Sequence, residues 1–238
     1  MEFQPSVMHS SIVENWSKRG PLVPWVTFSV IGICILLFLI YLFFGPQNRS
    51  LMMFRLGFVP ATINELIASG WREWLDQTSL SLMTSLFLHV GWLHLLGNMA
   101  YLLVFGVATE RWLGHMAYAM VFLLGGAITN IIVALGIADV ATPVIGASGG
   151  VSVVIGTYLG LFPQRRIGMY LPLGLYLQFA RVQAVLVIGS WFALQLLYTV
   201  FSPANTQLAW WTHVTGFTIG IIAAILARVS KMYRIKRT

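Results

Sequence analysis

Charge is scarce in this sequence. Only 9% of the 238 residues are Asp, Glu, Lys or Arg, where an ordinary soluble domain carries about 25%. Hydrophobic residues make up 58%, and the mean hydropathy is +0.82. A chain so composed lacks the polar groups to cover a surface in water, which excludes an ordinary soluble globular domain. Acidic residues are scarcer still: there are seven, and none follows Asp139. That excludes chemistry or proton relays needing a carboxylate in the last hundred residues. The single cysteine, Cys34, lies in the apolar run from Phe28 to Phe44; a disulfide framework is excluded, and the thiol reads as a small hydrophobe against lipid or a neighbouring helix. A cleavable signal peptide is not expected either, because the first long apolar run ends in bulky Phe43-Phe44 instead of small residues.

What the chain has instead is apolar length. Charge, Pro or Gly bound six apolar runs, at about Leu22–Phe44, Ser85–Thr109, His115–Gly136, Ser148–Phe162, Val182–Phe201 and Leu208–Ala227. Runs near 20 residues match a bilayer core. The expected fold is an all-α membrane protein, a single six-helix bundle over residues 21–228, with a short N-terminal segment at 1–20 and a basic tail at 229–238. Six spans put both termini on one side. If that side is cytoplasmic, inner segments hold 11 Lys/Arg (Lys18, Arg19, Arg111, Arg165, Arg166, Arg181 and five in the tail) against three outside, Arg49, Arg55 and Arg72. The positive-inside rule selects N-in, C-in. The net charge of +7 is thus concentrated beside helices, where it meets anionic lipid and not nucleic acid. The connection from Gly45 to Thr84, with Trp71 and Trp74 among charged residues, reads as a loop lying in the outer interface.

Polar groups inside membrane helices are costly and are functional candidates by default. Here they are His89, His94, Asn98 and His213, with Ser148 opening the fourth run. Arg111, Arg165 and Arg228 mark the inner ends of runs two, four and six. His94 is 17 residues from Arg111 and Asn98 is 13; Ser148 is 17 from Arg165 and His213 is 15 from Arg228. At 1.5 Å per residue all lie roughly 20–25 Å above the inner face, in one layer. The fourth run is too short to cross alone, and the stretch before it contains Pro143 and Gly146. Irregular backbone at such depth must line a cavity or be buried in protein, so a water-accessible cavity is expected at Ser148. Small residues recur at Ser148, Ser152, Gly156 and Gly160, and at Gly216 and Gly220 after His213. Such stripes let helices approach closely, which would bring Ser148 and His213 together.

Gly146-Ala-Ser148-Gly-Gly150 fits the G-x-S-x-G pattern, but the hydrolase-fold elbow needs an acid between serine and histidine, and there is none. What remains is a Ser–His dyad, with imidazole as general base and then general acid. His94 and Asn98 share a helix face. With the backbone N–H of Ser148 they would form an oxyanion hole.

The segments Phe-Leu-His89-Val-Gly-Trp-Leu-His94-Leu-Leu-Gly-Asn98-Met, Gly146-Ala-Ser148-Gly149 and His213-Val-Thr-Gly216-Phe-Thr-Ile-Gly220 resemble, in order, the three signature motifs of rhomboid intramembrane proteases. The resemblance covers about Thr84 to Arg228. It implies that Ser148 attacks a peptide bond and His213 transfers the proton, while His94 and Asn98 stabilise the oxyanion and His89 supports the first loop. The implied substrates are single-span membrane proteins cut near the outer boundary, with no cofactor; a bacterial cytoplasmic membrane, with the site opening outward, is the expected location. Three departures stand out. Leu80-Ser81 stand where the family often has Trp-Arg, Ser152 replaces an aromatic residue that stacks on the base, and the Glu-x-Arg motif ending span two survives only as Glu110-Arg111-Trp112. The alternative is a catalytically weak or inactive relative that binds or escorts membrane clients. A transporter reading finds no internal repeat and no intramembrane carboxylate to support it.

Overall fold

The computed structural model describes residues 22–68, 77–137, 140–173, 176–201 and 207–235. Helix α1 (Trp25–Phe43) is apolar on every side, as a lipid-facing helix is. Two short helices follow, α2 (Pro46–Leu56) and α3 (Ile63–Ala68), then α4 (Gln77–Thr84). Pro46 opens α2, where its missing N–H costs nothing. Helix α5 (Trp92–Leu113) contains a widened π turn at Leu102–Gly106 and ends at Gly114, whose φ of 83° turns the chain into α6 (His115–Leu135). A left-handed residue after a helix is a glycine position. Helix α7 (Ser148–Leu161), a hairpin of β1 (Arg166–Leu173) and β2 (Tyr176–Gln183), α8 (Ala184–Phe201) and α9 (Gln207–Ile235) complete the chain.

Helix α7 is the centre of the bundle and is buried almost throughout. Helix α9 lies on it through the expected small residues. A Cβ at Gly156 would strike the Phe217 backbone, one at Gly220 would strike Val153 and Thr157 backbone, and one at Gly160 would meet the Ala224 methyl. Thr157 Oγ1 bridges the pair, donating to the carbonyls of Val153 (2.8 Å) and Gly220 (3.1 Å). Arg228 closes the lower end by donating to the Leu161 carbonyl at 2.8 Å. On the other side, Gly125 of α6 seats Val153, and Gly150 of α7 seats Phe122. Close packing through small residues is what holds helices together where water does not drive them together.

Among the described residues, four helices are long and apolar enough to cross a membrane: α1, α5, α6 and Trp210–Met232 of α9. Helix α7, at 14 residues, spans only about 21 Å. With Ala184–Leu197 of α8 it forms a shorter apolar pair. The second apolar run starts later than expected. Ser85–Phe87 form one tight turn, and the helix opens only after extended Gly91, so His89 lies in the connection before α5. The last helix continues past Ala227 to Ile235 and takes most of the basic tail with it.

The antiparallel hairpin is the departure from a purely helical fold. Its sequence is apolar from Ile167 to Leu171 without the alternation that marks a half-buried strand, and the expected all-α fold does not include it. The expected N-terminal segment 1–20, together with Trp71, Trp74 and Asp139, lies outside the described residues.

Candidate functional site

Ser148 is the first residue of α7 and is half-buried. The irregular chain before it is fixed strand by strand. Val144 and Phe58 exchange backbone hydrogen bonds (2.7 and 3.1 Å), and the Gly146 N–H donates to the Ser85 carbonyl at 2.9 Å. Ser85 is itself buried and held by Asn130 of α6, whose Nδ2 donates to Ser85 Oγ (3.2 Å) and to the Leu82 carbonyl (3.0 Å). Thr84 Oγ1 donates to the Leu56 carbonyl at 2.6 Å. Val144 and the Gly146 N–H, at the Ser148 end of this non-helical segment, are thus paired with protein backbone, as burial requires.

Gly146 has φ 122°, a conformation only glycine adopts without strain. It also leaves room for a ring. A Cβ at this position would fall 2.6 Å from both Cε1 and Nε2 of His94, and 3.8 Å from Ser148 Oγ. The edge of the His94 imidazole therefore lies directly over Gly146, beside the serine. Asn98, one turn further along α5, is buried, and its Nδ2 donates to His89 Nε2 at 3.1 Å. The His89 and His94 rings meet edge to face, with centroids 4.9 Å apart. His89, His94 and Asn98 thus form one connected group, with His94 as the member nearest Ser148.

His213 is 4% exposed and sits in the first half of α9. Its chain neighbours abut α7 at the serine. Gly149 packs 3.5 Å from the Thr212 methyl, measured from its Cβ direction, and Gly216 faces the Gly149 carbonyl and Ser152 Cβ at 2.7 and 2.9 Å by the same measure. No hydrogen bond joins Ser148 Oγ to His213 among the described residues, and His213 Nδ1 has no partner there. No carboxylate pairs with His213 Nδ1 among the described residues.

The ring that touches His213 comes from α8. Trp191, 8% exposed, packs on the imidazole with centroids 4.8 Å apart and planes tilted by 47°. It also meets Tyr101 of α5 at 5.4 Å and Phe192 at 5.0 Å. Ser152, which stands where a stacking aromatic residue was expected to be lost, turns its hydroxyl back to the Ser148 carbonyl at 2.6 Å. Sequence reasoning missed Trp191; its one signal is that it is the single Trp of its apolar run.

Glu110, named in the sequence for its incomplete motif but not for its partners, is fully buried at the end of α5. Its carboxylate accepts from the N–H groups of Val26 (2.9 Å) and Thr27 (2.8 Å), from Thr27 Oγ1 (2.6 Å) and from His115 Nδ1 (2.6 Å). It caps the otherwise unpaired first turn of α1. The incomplete Glu-x-Arg motif therefore keeps its glutamate in a structural role. No group of three His, Cys, Asp or Glu able to hold a metal occurs among the described residues.

The family model for the rhomboid domain matches residues 75–230. A Bacillus subtilis (strain 168) protein named "Putative rhomboid protease YdcA" is 30% identical over 150 residues, covering 61% of this chain and 66% of that protein. The range matched by the family model, residues 75–230, includes all three motifs, the serine helix and its glycine contacts with α9. The chain is a membrane protein and belongs to the rhomboid family.

Proposed function

We propose that this protein is an intramembrane serine endopeptidase working through a Ser148–His213 dyad. The observation that carries the reading is the convergence on Ser148: His94 lies against Gly146 on one side, and the α9 turn bearing His213 packs against Gly149 on the other. In the reaction, His213 takes the Ser148 hydroxyl proton as Oγ attacks the scissile carbonyl. The carbonyl oxygen becomes an oxyanion, which the Ser148 N–H at the head of α7, the His94 ring and the Asn98 amide stabilise by hydrogen bonds. Collapse breaks the C–N bond, and His213 returns the proton to the leaving amine. A water then repeats the sequence on the acyl-serine and releases the acid.

The substrates in this reading are single-span membrane proteins cut near the outer boundary. The 11-to-3 distribution of Lys and Arg supports six spans with both termini inside, and a bacterial cytoplasmic membrane with the site opening outward. Helix α7 is short, so the bilayer around it would be thinned or its end exposed to water. That brings water toward Ser148, whose half-burial supports access.

The test is cleavage of a tagged single-span substrate in liposomes by the wild type, Ser148→Ala and His213→Ala, each checked for folding. Activity only in the wild type is expected. Equal cleavage by all three would mean a contaminating protease and end the assignment. A folded but silent wild type would put client binding ahead of proteolysis.

A further inference from the structure

The hairpin between α7 and α8 has no part in the proposed reaction, and its composition is unusual for a turn exposed to water. Its base is closed by the Ala184 N–H donating to the Arg165 carbonyl at 2.8 Å, so both strands start where the two apolar helices end. Ile167 and Val182, paired across the strands, are half-buried against the bundle. Beyond them the surface is apolar. Tyr176 and Leu177 are 79% and 71% exposed, and Phe179 lies across the strand over Gly168 while still half-exposed. On the face of Leu177 and Phe179 stand Arg166 and Arg181, both exposed. No carboxylate pairs with either among the described residues, and residues 140–238 contain no acid at all.

Three environments are open to such a hairpin, and two conflict with these observations. Standing upright in water, eight-residue strands would carry their bulky apolar end roughly 26 Å from the helices, with no described residue to cover it. Sunk in hydrocarbon, a two-stranded sheet would leave the outward N–H and C=O groups of both edges without partners, which lipid does not tolerate. The headgroup layer satisfies both demands. It hydrates open strand edges, accepts Tyr and Leu at the acyl boundary, and offers phosphate to arginine.

We propose that the β1–β2 hairpin is an interfacial anchor. It lies in the headgroup layer next to the inner end of α7 and engages anionic phospholipid through Arg166 and Arg181. The occupant is anionic lipid, because the charges on this apolar face are basic, with no acid among residues 140–238, and the face is continuous with helices already in the bilayer. Anchored so, the hairpin holds the adjoining ends of α7 and α8 at a fixed depth.

The sequence's one cysteine, Cys34, is fully buried, so Leu177→Cys supplies an accessible thiol for an NBD fluorophore in the full chain. The labelled protein is reconstituted into phosphatidylcholine liposomes with and without phosphatidylglycerol. The expected result is blue-shifted emission that headgroup-proximal nitroxide lipids quench and aqueous iodide does not. Phosphatidylglycerol should strengthen it, and Arg166→Gln with Arg181→Gln should remove that increment. Water-like emission quenched by iodide in both compositions would overturn the proposal. Shielding that ignores phosphatidylglycerol would overturn the anionic partner, and a bismaleimide cross-link between two copies of the unlabelled Leu177→Cys variant would name a second copy as the occupant instead. Lipid response in the parent arginine background is read directly, so a double variant that fails to fold leaves the test intact.

Discussion

The indole of Trp191 rests on the imidazole of His213, ring centroid to ring centroid 4.8 Å, and the two side chains come from different helices. With Nδ1 of His213 lacking a partner among the described residues, no hydrogen bond fixes the ring plane. Packing has to do it, and Trp191 is the large rigid surface in contact. The aromatic group that Ser152 lacks is thereby supplied from α8. Tyr101 backs the indole from α5, so three helices determine the angle of one ring.

In the proposed protease, Trp191→Ala should lower kcat about tenfold, since an aromatic contact is worth about 0.5–1.5 kcal/mol and the imidazole gains freedom without it. KM should change little, because the substrate's remote contacts are untouched. Trp191→Phe should restore most of the rate. Steady-state kinetics on one substrate decide it: a loss confined to KM, or one that phenylalanine does not rescue, would mean that the indole meets the substrate instead of orienting the base.

Gly146→Ala is expected to abolish most activity while the bundle still forms. The added methyl meets a φ of 122° and the His94 ring together. The backbone term alone costs about 1–2 kcal/mol, and His94 must leave its place beside Ser148. Cleavage should fall by far more than the fraction folded, as measured by thermal unfolding in detergent. A folded variant of unchanged rate would remove His94 from the proposed oxyanion site.

Much of this was legible in the sequence, for identifiable reasons. Long uncharged runs declare membrane helices by length alone, and counting residues from Arg111, Arg165 and Arg228 gives Ser148, His94 and His213 one expected depth. The packing of α7 on α9 is legible too, because glycines at a helical spacing have few other uses in lipid. Trp191 is not legible. Helix α8 is apolar all round, so no stripe in its sequence says which residue faces the core, and its contact with His213 lies 22 positions away. Glu110 hides for a similar reason: its partner Thr27 is 83 residues distant, and at the end of an apolar run a glutamate looks like a boundary marker. His89 looked like a helix residue because nothing local reveals that Gly91, and not Ser85, opens α5.

Glu110→Ala should be severely destabilising. It would strip the first turn of α1 of three hydrogen bonds at once; orphaned buried donors cost about 1–3 kcal/mol each before relaxation, and water entering the cavity would recover part of it. Glu110→Gln keeps an acceptor and should cost less, and His115→Ala, at the exposed end of the ion pair, least of the three. Thermal unfolding in one detergent ranks them. Equal shifts for Ala and Gln would show that charge at the helix end outweighs hydrogen-bond count.

Glycine-to-alanine changes should separate packing from propensity. Gly32 of α1 has nothing within 4 Å of its Cβ direction, whereas Gly156 and Gly220 point at facing backbone, which cannot rotate away as a side chain can. Alanine is the better helix former by about 1 kcal/mol, so Gly32→Ala should leave the melting temperature unchanged or raise it. At Gly156 or Gly220 the same methyl must push α7 and α9 apart, with an overpacking cost of about 1–3 kcal/mol or more. Separation there also pulls His213 from Ser148, so activity should fall further than stability. Were Gly156→Ala to melt like the parent and cleave normally, the α7–α9 contact would be looser than its geometry requires, and the dyad would need some other means of being held.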